Sequence, residues 1–248
     1  MMNKINNKTM NNEIEKFRNL TSCDLTEQDG KVYFGRSIRL INSDIETIPD
    51  NLTVDDDVMI ARCTKLKKIP DNLTVRGKLI IFACNITSLP SNLTVLGDLY
   101  IAKSDNITAL PEDLVVGRNL DIRETNISLI PNSIIVGGDL DLSYSKVTEL
   151  PNGLLVGGNI ILNHTAITSL PDKITFGGYI DIDNTGITEL SENSFFWKYI
   201  YLDDLNEEPV LKPTKILSSE ETNKLDNLRI ALHTCKVKLI NTLKLVKW

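Results

Sequence analysis

Aspartates stand at Asp121, Asp139, Asp141, Asp181, Asp183, Asp203 and Asp204, and so many carboxylates can hold a hard cation or steer a basic partner. Calcium needs several oxygens converging on one point, most often from a single loop. Asp141 lies two repeats away from Asp181 and Asp183, and no Asp-x-Asp-Gly loop is present, so no metal site is expected. Nucleophilic catalysis has no better footing. His164 and His233 are the only histidines, and neither has Ser, Cys and Asp at a spacing that would assemble an activated nucleophile. Cys23, Cys63, Cys84 and Cys235 lack zinc or disulfide spacing, and no glycine-rich phosphate loop appears. The chain reads as a non-enzyme without a cofactor. The chemistry left to the aspartates is recognition.

A repeat must position them. Proline recurs at 49, 70, 90, 111, 131, 151 and 171, always after Leu or Ile, a period of 20 or 21 residues. A fixed period of that size predicts a solenoid whose units stack on their neighbours, because one unit alone buries too little apolar surface to fold. Within each unit an aliphatic pair alternates with more polar neighbours: Ile38/Leu40, Val58/Ile60, Leu79/Ile81, Leu99/Ile101, Leu120/Ile122, Leu140/Leu142, Ile160/Leu162, Ile180/Ile182 and Ile200/Leu202. Period two predicts a strand with one buried face. Three residues beyond each pair sits a small hydroxyl or thiol (Ser43, Cys63, Cys84, Ser104, Thr125, Ser145, Thr165, Thr185), suited to bonding the backbone of a bend. Two units carry an extra residue, around Thr64–Leu66 and Asp105–Ile107, where a bulge is expected. Proline, lacking a donor, is expected at an outer turn. The glycines at 137–138, 157–158 and 177–178 are expected to supply an unusual φ before the next strand.

This pattern resembles leucine-rich repeats, L-x-x-L-x-L-x-x-N-x-L, with Gly at the first position and Thr, Ser or Cys at the Asn position. The short unit with Leu-Pro on its back is most similar to the subclass found in secreted effectors of enteric pathogens. The Gly137-Gly138-Asp139-Leu140 type of step is similar to repeats of bacteriophage proteins. The resemblance implies an α/β or mainly-β repeat solenoid, a horseshoe with a parallel sheet on its concave face. It also implies a phage or pathogen inhibitor or effector that grips a host protein. The chain departs from the family in lacking the Asn ladder and in carrying Val-x-Gly-Gly where a second Leu-rich step is usual. A right-handed β-solenoid with two short strands per coil is the alternative. Some such effectors append a ubiquitin ligase with a catalytic Cys-x-Asp. Here Cys235 is followed by Lys-Val on an apolar stripe, so that domain is not expected.

Along the outward strand positions the repeat stops repeating. Ile41, Met59, Ile80, Phe82 and Tyr100 make one half apolar, while Asp121, Asp141, Asp181, Asp183 and Asp203 make the other acidic. Contiguous apolar surface beside charge is what protein-binding sites look like. The partner expected is a protein with apolar anchors beside a basic surface. Net charge of −6 argues against direct binding of a nucleic-acid backbone. A carboxylate array that mimics nucleic acid for a DNA-binding protein is one alternative.

Residues 1–28 are expected to cap the first coil, with a helix over 13–20 and a hairpin turn at Asp29-Gly30. The repeats span 29–204, about nine units, and 205–248 hold a linker and a helix over 219–241 that follows the capping box Ser218-Ser219-Glu220-Glu221. Oligomerisation through that helix, giving a structural or assembly protein, is the other alternative; a monomer is favoured. No apolar run reaches the ~18 residues of a membrane span. Met1–Asn12 is polar, unlike a signal peptide, so a cytoplasmic location is expected, in a bacterium or in an invaded host cell.

Overall fold

The computed structural model describes residues 14–19, 21–22, 25–171 and 174–188, together with the backbone of 195–196 and 199–201. It is a mainly-β solenoid of parallel strands in which each coil contributes to two sheets. Of the two forms the repeat allows, the coils take the one with two short strands. The chain enters through β1 (Thr26–Gln28) and β2 (Lys31–Phe34), continues with β3 (Ile38–Ile41), β4 (Leu52–Val54) and β5 (Val58–Ala61), and repeats from there. Among the described residues the first sheet holds ten strands, beginning β1, β2, β4; the second holds nine and ends at β3. Among the described residues only β1 runs antiparallel to its neighbour.

The second sheet is the one the aliphatic pairs predict. Every pair from Ile38/Leu40 to Ile180/Ile182 is buried. Leu79, Leu99, Leu120, Leu140, Ile160 and Ile180 stand in one register column, so the aliphatic side chains stack as rungs. The first sheet supplies the second short strand per coil that the β-solenoid alternative requires. It is built from two-residue steps such as Thr74–Val75, Thr94–Val95 and Val115–Val116. Val54, Val75, Val95, Val116, Val136, Val156 and Phe176 form its inner column. β-Branched side chains suit that half-buried pleat.

Two expectations about the turns need correction. Only Gly30 and Gly153 hold a positive φ among the described glycines. The repeated glycines are instead required by close approach: a Cβ on Gly97 would stand 2.5 Å from the carbonyl oxygen of Gly77, and Gly117, Gly137, Gly157 and Gly177 meet a neighbouring coil's carbonyl oxygen in the same way. The prolines also differ from expectation. Pro49, Pro70, Pro90, Pro131 and Pro151 are buried rather than on the outside. Pro111, Pro131 and Pro151 open a turn, their carbonyls accepting the amides of Leu114, Ile134 and Leu154 at 3.2–3.3 Å.

The small hydroxyls and thiols do turn inward. Thr125 and Thr165 each donate Oγ1–H to the carbonyl three residues back at 2.6 Å, and the Ile127 amide donates to Thr125 Oγ1 at 3.4 Å. In the two long units the extra residue forms a tight turn. There Leu66 and Ile107 donate their amides to the backbone carbonyls of Cys63 and Ser104 at 3.3 and 3.1 Å.

The N-terminal cap is a short helix over 14–19, whose Ile14 and Phe17 are buried against the first coil. Asp29 and Gly30, with φ of 52° and 73°, form the two-residue turn between β1 and β2, as a hairpin of this length demands. No helix among the described residues is long and apolar enough to cross a membrane. The helix expected over 219–241, with Asp203 and Asp204, lies outside the described residues.

Candidate interaction face

In a strand the side chains alternate between faces, so burying Ile38/Leu40 and their equivalents pushes the intervening residues outward. Pairing in register then lines those residues up across the second sheet. One outward column runs Arg39, Met59, Ile80, Tyr100, Asp121, Asp141, Ile161 and Asp181. A second begins Ile41, Ala61, Phe82 and Ala102. Ile41 is 43% exposed, and Met59, Ile80, Phe82 and Tyr100 are half-buried. Ala61 and Ala102 are buried, and Phe82 stands between these two small residues in its column. The Lys103 ammonium sits 5.6 Å from the Phe82 ring centroid, within cation–π range.

The acidic half is less open than its composition suggests. Asp121, Asp141 and Asp181 are half-buried. Each accepts the amide two residues on through Oδ1, from Arg123 at 3.2 Å, Ser143 at 3.0 Å and Asp183 at 3.1 Å. These are Asx turns, and they fall where the strands Leu120–Asp121 and Leu140–Asp141 end. Arg123 also lies across two of the acids. Its Nη2 is 2.5 Å from Asp121 Oδ2, and its Nε is 3.7 Å from Asp141 Oδ2. Burial, reinforced by the charge of Asp141, pushes the Asp121 carboxyl above its ordinary value even though Arg123 bonds it. The bond to Asp121 raises the Arg123 guanidinium in turn.

Asp139 does not belong to this face. It lies just before the strand Leu140–Asp141, where its amide donates to Asn119 Oδ1 at 2.8 Å and its own Oδ1 accepts the Asn159 amide at 2.7 Å. The Asp98–Asn119 and Asn159–Tyr179 pairs continue this staircase at 3.2 and 3.0 Å. The second glycine of each Gly-Gly exists to admit it: a Cβ on Gly138, Gly158 or Gly178 would strike the Asn119, Asp139 or Asn159 side chain. Both functions were hidden in the same short motif. The Asx spacing at 121/123, 141/143 and 181/183 was the readable signal for the turn-forming role of the acids.

The His164 ring lies within 3.4 Å of the Asn184 side-chain amide. It stacks on the half-exposed Tyr144 with ring centroids 4.3 Å apart and planes 15° from parallel, both residues at the left-handed corner of adjacent coils. Among the described residues no group of three or more His, Cys, Asp and Glu side chains is arranged to hold a metal ion.

Fold and face together define a two-sheet parallel β-solenoid with one compositionally divided outer surface. No family model, curated protein or solved structure matches the chain.

Proposed function

We propose that this protein is a non-catalytic binding module that takes a partner protein on the outer face of its second sheet. The observation that supports this reading is the contrast between the two faces of one set of strands. The inner columns repeat aliphatic residues coil after coil, whereas the outer columns pass from Ile41, Met59, Ile80, Phe82 and Tyr100 to Asp121, Asp141, Asp181 and Asp183. Folding requires the first pattern but not the second. A partner with apolar anchors beside a cationic surface complements this division, its cations facing the acidic half as a whole. An inhibitor or effector encoded by a phage or pathogen and acting in a cytoplasm is the setting that the repeat type favours.

The test is affinity capture from the native host with the intact protein and two variants. Phe82→Asp combined with Tyr100→Asp is expected to abolish recovery of the specific partner, with the solenoid still folded by circular dichroism. Asp181→Lys combined with Asp183→Lys is expected to slow association and weaken its salt dependence. A partner retained unchanged by both double variants would rule the face out.

A further inference from the structure

The two sheets do not end level. At the N-terminal end the first sheet gains β1 beyond β2, whereas the second stops at β3, and among the described residues no strand pairs with the other side of β3. In a parallel ladder alternate residues bond to opposite neighbours. Ile38 and Asn42 donate their amides to Asp57 and Ala61 of the next coil at 2.9 Å, so Arg39 and Ile41 direct their amides and carbonyls away from it. Exposure agrees with an open edge. Ile41 is 43% exposed where its register partner Ala61 is 9%, and Arg39 is exposed where Met59 and Ile80 are half-buried.

We infer that the edge of β3 accepts an added strand from another polypeptide, an extended acidic-x-aliphatic segment running parallel to it. The backbone groups of Arg39 and Ile41 supply the ladder bonds, as in strand addition generally. The side chains set the sequence. An in-register neighbour sits about 4.8 Å away, which places one outward side chain beside Arg39 and the next beside Ile41. Arg39 carries no ion pair among the described residues, nor does exposed Arg36 just before the strand. A carboxylate opposite Arg39 and an aliphatic group against Ile41 complement both positions. The contrary role for Arg39 is a guard, since edge cations also serve to repel unwanted pairing. The inference is separable from the sheet-face reading, because it uses the backbone and the two side chains of one edge strand, and Phe82 and Tyr100 take no part in it.

The test uses the full chain and two acetylated, fluorescein-labelled peptides, Thr-Asp-Val-Ile-Thr and Thr-Lys-Val-Ile-Thr, followed by anisotropy. The Asp peptide is expected to bind at least tenfold more tightly than the Lys peptide, and Arg39→Glu to invert that order. Ile41→Pro removes an amide that the solenoid itself does not use. It is expected to abolish binding with the denaturation midpoint unchanged, whereas Phe82→Asp leaves binding intact. Absence of binding to the unmodified protein, equal affinity for both peptides, or loss of binding in Phe82→Asp would each overturn the assignment. Arg39→Glu keeps the test decisive if Ile41→Pro proves unstable.

Discussion

Asn72 donates its side-chain Nδ2–H to Oδ1 of Asn51 one coil away at 2.8 Å, and the two residues hold left-handed backbones with φ of 56° and 58°. Asn92 repeats the arrangement, donating to Asn72 at 3.0 Å with φ of 56°. The central amide thus gives one bond and receives another. Asparagine is also the side chain that enters this backbone region at least cost after glycine. Asn72→Ala loses both bonds and the conformational preference and is expected to cost about 2 kcal/mol. Asn72→Gly loses the bonds but keeps the backbone, and about 1 kcal/mol is expected. Urea denaturation measures both; midpoints equal to that of the unmodified protein would show the amide ladder to be energetically idle.

The glycines divide into two kinds that substitution separates. Gly97 faces the Gly77 carbonyl so closely that an added Cβ would stand 2.5 Å from it, whereas Gly153 has φ of 75° and open space around its Cβ position. Gly97→Ala must push two coils apart and is expected to cost ~3 kcal/mol. Gly153→Ala strains only its own backbone, roughly 1–2 kcal/mol. The ranking in thermal or urea unfolding is the check. A larger loss at Gly153 would place the demand on conformation instead of coil spacing.

Two carboxylates give stability opposite pH dependences. At Asp98 burial opposes ionisation, but the Lys78 ammonium 3.0 Å away, the Asn119 amide and Arg118 outweigh it and hold the carboxyl below its ordinary value. The unfolded chain then binds the proton more readily. Asp98 contributes stability above the unfolded carboxyl pKa of about 3.9, and that contribution is lost as pH falls through the lower folded value. Asp121 is raised by burial, so the folded state holds its proton longer, and its contribution is lost as pH rises from the ordinary value through the folded one. Stability measured between about pH 2 and 6 should therefore rise less with pH in Asp98→Asn and more steeply in Asp121→Asn. The same slope change in both variants would contradict these environments.

What could be read in advance follows from how far each interaction reaches along the chain. The second sheet was legible because Leu99 and Ile101, or Leu140 and Leu142, display period two in consecutive residues. The inward hydroxyls were legible because Thr125 bonds Ile122 and Ile127, its near neighbours. The first sheet was legible only as the second short strand of the β-solenoid alternative and not in its position, since a strand of two residues such as Ile135–Val136 is too short to show a period. The glycines misled for a related reason: what Gly157 avoids is a carbonyl of Gly137, a full coil earlier. On the candidate face, the columns followed once the strand was known. The pairing of Arg123 with both Asp121 and Asp141 did not, because it joins neighbouring coils through one side chain.

Cys84 tests whether the inward column needs polarity or only small size. Its thiol is buried and contacts the Phe82 carbonyl at 3.3 Å and the Ile60 carbonyl at 3.5 Å. Burial above all pushes the thiol upward, although the amides of Cys63 and Arg62 bond it and favour the thiolate. Ser104 fills the same position one coil on, donating to the Ala102 carbonyl at 3.3 Å and accepting the Cys84 amide at 3.2 Å. Cys84→Ser reproduces that chemistry and is expected to change stability by less than about 1 kcal/mol. Cys84→Val matches the volume but leaves a buried amide without its acceptor, and a loss of about 1–3 kcal/mol is expected. With Cys23 and Cys235 replaced by serine, labelling by a thiol reagent should proceed only as fast as the solenoid opens, since the remaining thiols, Cys63 and Cys84, are sealed between coils. Rapid labelling of the folded protein, or a valine variant as stable as the serine one, would mean that this column fills space without satisfying the bend.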